Sequence, residues 1–188
     1  MIKVKWNLTE NNEIINYSNR GMILENEINE TAKYLLENNI CLIYKKATPI
    51  KIVKVENKKI VEAYFNEEST LDYAGVYKGK YLDFEAKETE IETSFPLKNI
   101  QEHQILHMEN VLKHDGYAFL IVAFTTLDKY FLLDAHKLID FIKNNGRKSI
   151  PLSFFEENSI KIERRLNPPL DLIKALDTLI FNSSTKSF

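Results

Sequence analysis

Apolar residues recur along this chain with two periods, and the switches between them outline its elements. Over 21–38, Leu24, Ile28, Leu35 and Leu36 keep helical spacing, with Asn19 placed to cap the first turn. Residues 41–44 read as a strand. From 47 to 65, two alternating runs, Lys-Ile-Val-Lys-Val and Lys-Ile-Val-Glu-Ala-Tyr-Phe, flank a polar turn at 56–59. That pattern predicts a β-hairpin whose lysines alternate with Ile and Val and make one face basic. A second hairpin is predicted over 70–87, punctuated by Gly75 and Gly79. Thr93-Ser94-Phe95-Pro96 predicts a helix start, with Ser94 as cap and Pro96 in the first turn. The helix runs to about 114, where Gly116 stops it. The unbroken apolar run 117–124 predicts a strand buried on both faces. Asp128-Lys129 turns the chain into a strand at 130–133. A helix over 135–145 ends at Gly146, and Pro168-Pro169 opens a last helix to about 181. The order α-β-ββ-ββ-α-β-β-α-α is that of an α/β domain, a mixed sheet flanked by helices.

Length and composition leave this picture intact. A chain of 188 residues, 44% hydrophobic, is expected to form one domain with a proper core. Residues 1–18 are polar apart from Trp6 and are expected as a loosely held arm, with the domain over 19–188 and the tail FNSSTKSF unplaced. No apolar run approaches the ~18 residues of a membrane span. The N-terminus lacks the apolar segment of a secretory signal. The single cysteine, Cys41, forms no internal disulfide and reads as a small buried hydrophobe. Together these point to the cytoplasm and away from membrane partners.

The net charge of −2 does not announce a nucleic-acid partner, but its distribution is uneven. Six lysines and one acid, Glu56, fall between Lys45 and Lys59. Lys78, Lys80 and Lys87 form a second cluster, and Arg147 with Lys148 a third. A basic hairpin suits a phosphate backbone, although any one such cluster is also what a solvated face looks like. Phe65, at the end of that hairpin, reads as core or as an aromatic that stacks on a base.

The chemistry concentrates in LDYAGVYKGKYLDFEAK (71–87). A hairpin there brings Asp72 beside Glu85, and Glu85 and Lys87, two apart in one strand, point to the same face. Two acids and an amine then converge. Phosphodiester hydrolysis needs that set: hard oxygen ligands for Mg²⁺, which polarises the phosphate, and a lysine that neutralises developing charge. The bare pattern also fits ordinary salt bridges on a surface strand. Thr70 shares the face of Asp72 and offers another oxygen ligand. Gln104 lies in or beside the apolar stripe of its helix and needs a polar partner, which a neighbouring site, a cap or solvent would supply. Glu25 either overlooks the site from the first helix or belongs to that helix's polar face. His103 and His107 have the spacing of a zinc pair, but no further ligand completes it, and solvated histidines are the simpler reading. Five glycines leave no phosphate-cradling loop, and no Ser-His-Asp arrangement is visible.

The segments NRGMILENEIN (19–29), LDYAGVYKGKYLDFEAKET (71–89), TSFPLKNIQEHQ (93–104) and FLLDAHKL (131–138) closely resemble the RecU family of Holliday junction resolvases, in order and over about 19–169. The resemblance implies a restriction-endonuclease-like fold with a projecting hairpin, the stalk, at about 47–65. It implies a Mg²⁺-dependent homodimer, with Mn²⁺ as a substitute ion, that cuts two opposed strands of a four-way DNA junction and contacts recombinases and branch-migration proteins. Metal ligands would fall on Thr70, Asp72, Glu85 and Gln104, the transition-state lysine on Lys87, and a helix-one glutamate near the site on Glu25. Arg20, Lys45, Lys46, Lys51, Lys54, Phe65, Lys78 and Lys80 are the expected DNA contacts. Leu71 departs from the proline that many nucleases of this fold carry before the aspartate. A duplex-cutting nuclease would need the same acids without the stalk, and a non-catalytic junction binder would need neither the acids nor the lysine.

Overall fold

A computed structural model describes residues 22–65 and 70–184. The expected arm over 1–18, the cap Asn19, Arg20, the side chain of Phe65 and the end of the tail lie outside the described residues.

A six-stranded mixed sheet carries the fold, in the order β1-β4-β5-β7-β8-β10. Its strands are β1 (Leu42–Lys45), β4 (Tyr73–Tyr77), β5 (Lys80–Thr89), β7 (Tyr117–Phe124), β8 (Lys129–Asp134) and β10 (Ile160–Ile162). Only β5 and β7 run parallel; the other neighbours are antiparallel. The parallel pair needs a crossover, which is helix α2 (Glu102–Lys113). Alternation along the central strands feeds two cores. On one face Phe84, Phe119, Ile121 and Leu132 pack under α1 (Met22–Glu37) and α5 (Leu172–Ser184). On the other, Leu120, Val122, Phe131 and Leu133 pack under α2, α3 (Ala135–Asn145) and α4 (Leu152–Asn158). Phe84 is stacked between Tyr73 and Phe119, with ring centroids 5.0 and 4.7 Å away, and fastens the three middle strands. β7 is buried over most of its length, as its unbroken apolar run predicts.

Gly75 marks the contact of β4 with the edge strand β1. A Cβ there would lie 2.3 Å from the Leu42 carbonyl oxygen, so no larger residue fits without moving β1. The β4–β5 turn is two residues, Lys78 and Gly79, both at positive φ, which closes a tight hairpin.

The predicted stalk is a separate two-stranded ribbon, β2 (Ile50–Glu56) with β3 (Lys59–Phe65). Its turn residues Asn57 and Lys58 also take positive φ. Lys51 and Lys54 are three apart and would oppose each other in a regular strand. The pairing skips between Ile52 and Lys54, and this bulge returns both to one face, beside Tyr64 and Glu62. Ile50, Ile52, Val53, Val55, Ile60 and Val61 are all exposed, so the ribbon has no core of its own.

The helix start expected at 93–96 is corrected. Ser94–Pro96 form β6, paired with β9 (Ser149–Pro151), because Phe95 is fully buried against Ile150 and holds this segment extended. A 3-10 turn over Leu97–Asn99 follows, and α2 begins at Glu102 behind a capping box made by Gln101 and Gln104. The strands β6, β9 and β10 and helix α4 were not predicted. The last helix begins at Leu172, after the Pro168-Pro169 start signal. The helix over 135–145, ended by left-handed Gly146, is as predicted, with Asp134 capping it through His136 N–H.

Candidate active site

Asp72 precedes β4 by one residue, opposite Glu85 in the middle of β5. The backbone couples them: Asp72 N–H donates to Glu85 Oε2 at 3.0 Å, and Ala86 N–H donates to Asp72 Oδ2 at 3.2 Å. Lys87, on the same face of β5 as Glu85, places Nζ 2.6 Å from Glu85 Oε1. The three groups brought together by period-two reasoning therefore do meet. Asp72 and Lys87 line an open cleft of about 810 Å³, with Glu25, Glu88 and Gln101 on its walls. Glu85 is fully buried. Burial pushes its carboxyl up to about 7, the charge of Asp72 adds to the rise, and Lys87 opposes it.

Gln104 is buried on the first turn of α2 and uses both ends of its amide. Nε2 donates to Glu85 Oε1 at 2.6 Å, and Oε1 accepts from Gln101 N–H at 2.9 Å. The site partner and the cap, alternatives in the sequence, are both present. Thr70 is exposed, and its hydroxyl accepts from Lys46 Nζ at 2.8 Å. Glu25 reaches the cleft wall from α1 and is held there by an ion pair with Lys45.

The expected DNA contacts divide. Lys51 and Lys54 lie on the ribbon, Lys51 over the ring of Tyr64 and Lys54 2.5 Å from Glu56. Lys45 and Lys46 sit at the ribbon's root. Lys78 pairs with Asp177 of α5 at 2.6 Å, and it and Lys80 lie at the β4–β5 turn, roughly 16 Å along the strand from Glu85.

One group escaped the sequence reading. Asp83, fully buried two residues before Glu85, accepts from Lys46 Nζ at 2.7 Å, Tyr81 Oη at 2.9 Å and His107 Nε2 at 2.8 Å. Its parity with Glu85 and Lys87 was visible; its partners, from three elements, were not. His107 thus serves Asp83, and among the described residues no group of three or more His, Cys, Asp or Glu side chains is arranged to hold a metal. What the site holds instead is the Asp72 and Glu85 carboxylate pair, with the Gln104 amide nitrogen and Lys87 on Glu85.

A family model described as Recombination protein U matches residues 19–178. The Holliday junction resolvase RecU of Bacillus cereus (strain G9842) is 49% identical over 174 residues, covering 88% of this chain and 87% of its own. That of Pediococcus pentosaceus is 50% identical with the same coverage. Among solved structures, Hjc of Archaeoglobus fulgidus, a Holliday junction resolvase, matches with a TM-score of 0.44 at 10% identity, over 75% of this chain and 95% of its own.

Proposed function

Because the chain belongs to the Recombination protein U family, we propose that it is a structure-specific endonuclease that resolves four-way DNA junctions in recombination and repair. The observation that carries the reading is the convergence of Asp72, Glu85 and Lys87 at one cleft beside the root of a basic ribbon.

A divalent cation, Mg²⁺ with Mn²⁺ as substitute, fits the donor set. Half-buried Asp72 and fully buried Glu85 are coupled through the backbone; burial, and after it the charge of Asp72, raises Glu85, and Lys87 offsets the rise. Asp72 and Glu85 would hold the ion. Thr70 would offer a hydroxyl oxygen and Gln104 an amide oxygen, the first now accepting from Lys46 Nζ and the second from Gln101 N–H. When bound, the ion polarises the phosphate and lowers the pKa of water. The chain's own residues do the rest. Gln104 and the N–H of Asp72 fix the Glu85 carboxylate, and Ala86 N–H fixes that of Asp72. Lys87, a quarter exposed at the cleft, neutralises charge developing on the phosphoryl oxygens as water attacks phosphorus and the 3′-oxygen leaves. The ribbon, with Lys51 and Lys54 on one face, enters the junction and reads its shape. Cutting two opposed strands with one site per chain calls for a twofold dimer.

The test is cleavage of a labelled synthetic four-way junction beside a duplex of equal length, with Mg²⁺ and with EDTA. Paired, Mg²⁺-dependent nicks in the junction alone are expected, and Asp72→Ala should bind the junction without cutting it. Equal cutting of both substrates would make the protein a general nuclease. An Asp72→Ala variant that cuts normally would remove the site from the mechanism.

A further inference from the structure

Asp83 is a fully buried acid on the catalytic strand to which the chemistry above gives no part. A buried carboxylate is strongly disfavoured unless it is paired and hydrogen-bonded. Here three donors satisfy it: Lys46, Tyr81 and His107. The identity of the first donor is what matters. Lys46 is the first residue after β1, where the chain leaves the sheet for the stalk. Its Nζ also donates to Thr70 Oγ1 at 2.8 Å, and Thr70 lies on the return path from the stalk, three residues before β4. One ammonium therefore ties both roots of the ribbon to one carboxylate. The backbone N–H of the same lysine donates to the Asp72 carbonyl oxygen at 2.8 Å. Lys46 thus touches the main chain of one catalytic acid directly, and through Asp83 the strand of the other. No equivalent tie joins the ribbon to the sheet elsewhere among the described residues: its strands pair only with each other.

We propose that Asp83 is a positioning residue: with Lys46 it clasps the two roots of the stalk to the catalytic strand, so that a junction seated on the stalk meets Asp72 and Glu85 in fixed register. The clasp rests on the resolvase reading. It removes Lys46 from the DNA-contacting set, since the ammonium is turned inward onto Asp83 and Thr70 rather than toward a phosphate.

The two roles of Lys46 give opposite kinetics. A phosphate contact acts on affinity, and its loss shallows the dependence of log K on log salt by about one. A clasp acts on the geometry of the bound complex, so its loss lowers the cutting rate at saturating junction. Lys46→Met, Asp83→Asn and the double variant would be compared in the full chain, by single-turnover cleavage with Mg²⁺ and by junction binding in EDTA over a salt series. The expected result is about a 10- to 100-fold lower rate for each single variant, the range for residues that orient metal-holding carboxylates. Affinity and salt slope should be unchanged, and the double variant should be no slower than the slower single, because both remove one shared interaction. Wild-type rates in both singles overturn the clasp. So does a weakened affinity with a shallower salt slope in Lys46→Met, or additive losses in the double. If Asp83→Asn fails to fold, Lys46→Met, altered at a partly exposed side chain, decides the matter by the same split. A wild-type protein that cuts no junction overturns the resolvase reading and the clasp with it; a cutting wild type with equally fast variants overturns the clasp alone.

Discussion

Gln104 begins a helix and holds the Glu85 carboxylate with the same amide. Truncating it should be felt twice. Gln104→Ala loses a capping interaction, about 1 kcal/mol of stability by denaturant unfolding. It also frees Glu85, with a drop of about 10- to 100-fold in junction cleavage. If stability falls and cleavage does not, the hold on Glu85 is unimportant. Cys41 makes the opposite kind of prediction. Burial beneath α1 pushes its thiol up to about 11, so at pH 8 it stays protonated. A thiol reagent should leave it untouched in the native protein and modify it at once in denaturant; native labelling would contradict its burial. Asp72, Glu85 and Lys87 were legible because a strand's period is two and a hairpin's register follows from its turn. Gln104 was legible as a polar side chain in an apolar stripe, though its two partners were not. Asp83 was invisible, because nothing near it in sequence announces that Lys46 and His107, 37 and 24 residues away, converge on it.

Elements with strong local patterns were readable: α1, β7, α3 and both hairpins. Those missed are short and owe their form to distant partners. β6 and β9 are three residues each and exist because they pair, burying Phe95 and Ile150. Ser94 and Pro96 carry a helix-start signal that this tertiary contact overrides. The stalk is the reverse case, fully visible in sequence because its strands pair with each other alone. That independence has a consequence for stability. Replacing Ile52–Val61 by a short flexible turn should leave the thermal unfolding transition where it is, because the ribbon adds nothing to either core. Junction cutting should be lost. A truncated protein that still resolves junctions would take the ribbon out of substrate recognition.

For the whole molecule, a net charge of −2 means that attraction to DNA is local rather than global. The cleft itself carries Glu25, Asp72, Glu88 and Glu90 beside Lys87 and Lys98, so on the proposed reading these lysines and a bound cation would draw in the substrate phosphate, and the ribbon's lysines would do the capturing. With one such cleft among the described residues, the proposed paired incision depends on two chains. Dimers assembled from wild type and Asp72→Ala should nick one strand of a junction and leave the opposite strand whole, as read on a denaturing gel with both strands labelled. Mixed dimers that cut both strands would mean that one site visits both phosphodiesters in turn.

The exposed face and edges of the ribbon also bear on how the free protein behaves in solution. Among the described residues, Ile50, Ile52, Val53, Val55, Ile60 and Val61 form two β-prone segments with no covering helix and with open strand edges. Sequences of that kind template their own aggregation. The lysines interleaved with them are then gatekeepers as well as the proposed DNA contacts, keeping ribbons of neighbouring molecules apart by charge. High salt, which releases the protein from DNA, also screens that repulsion, so the ribbon is most prone to self-association under the conditions that strip it of its substrate.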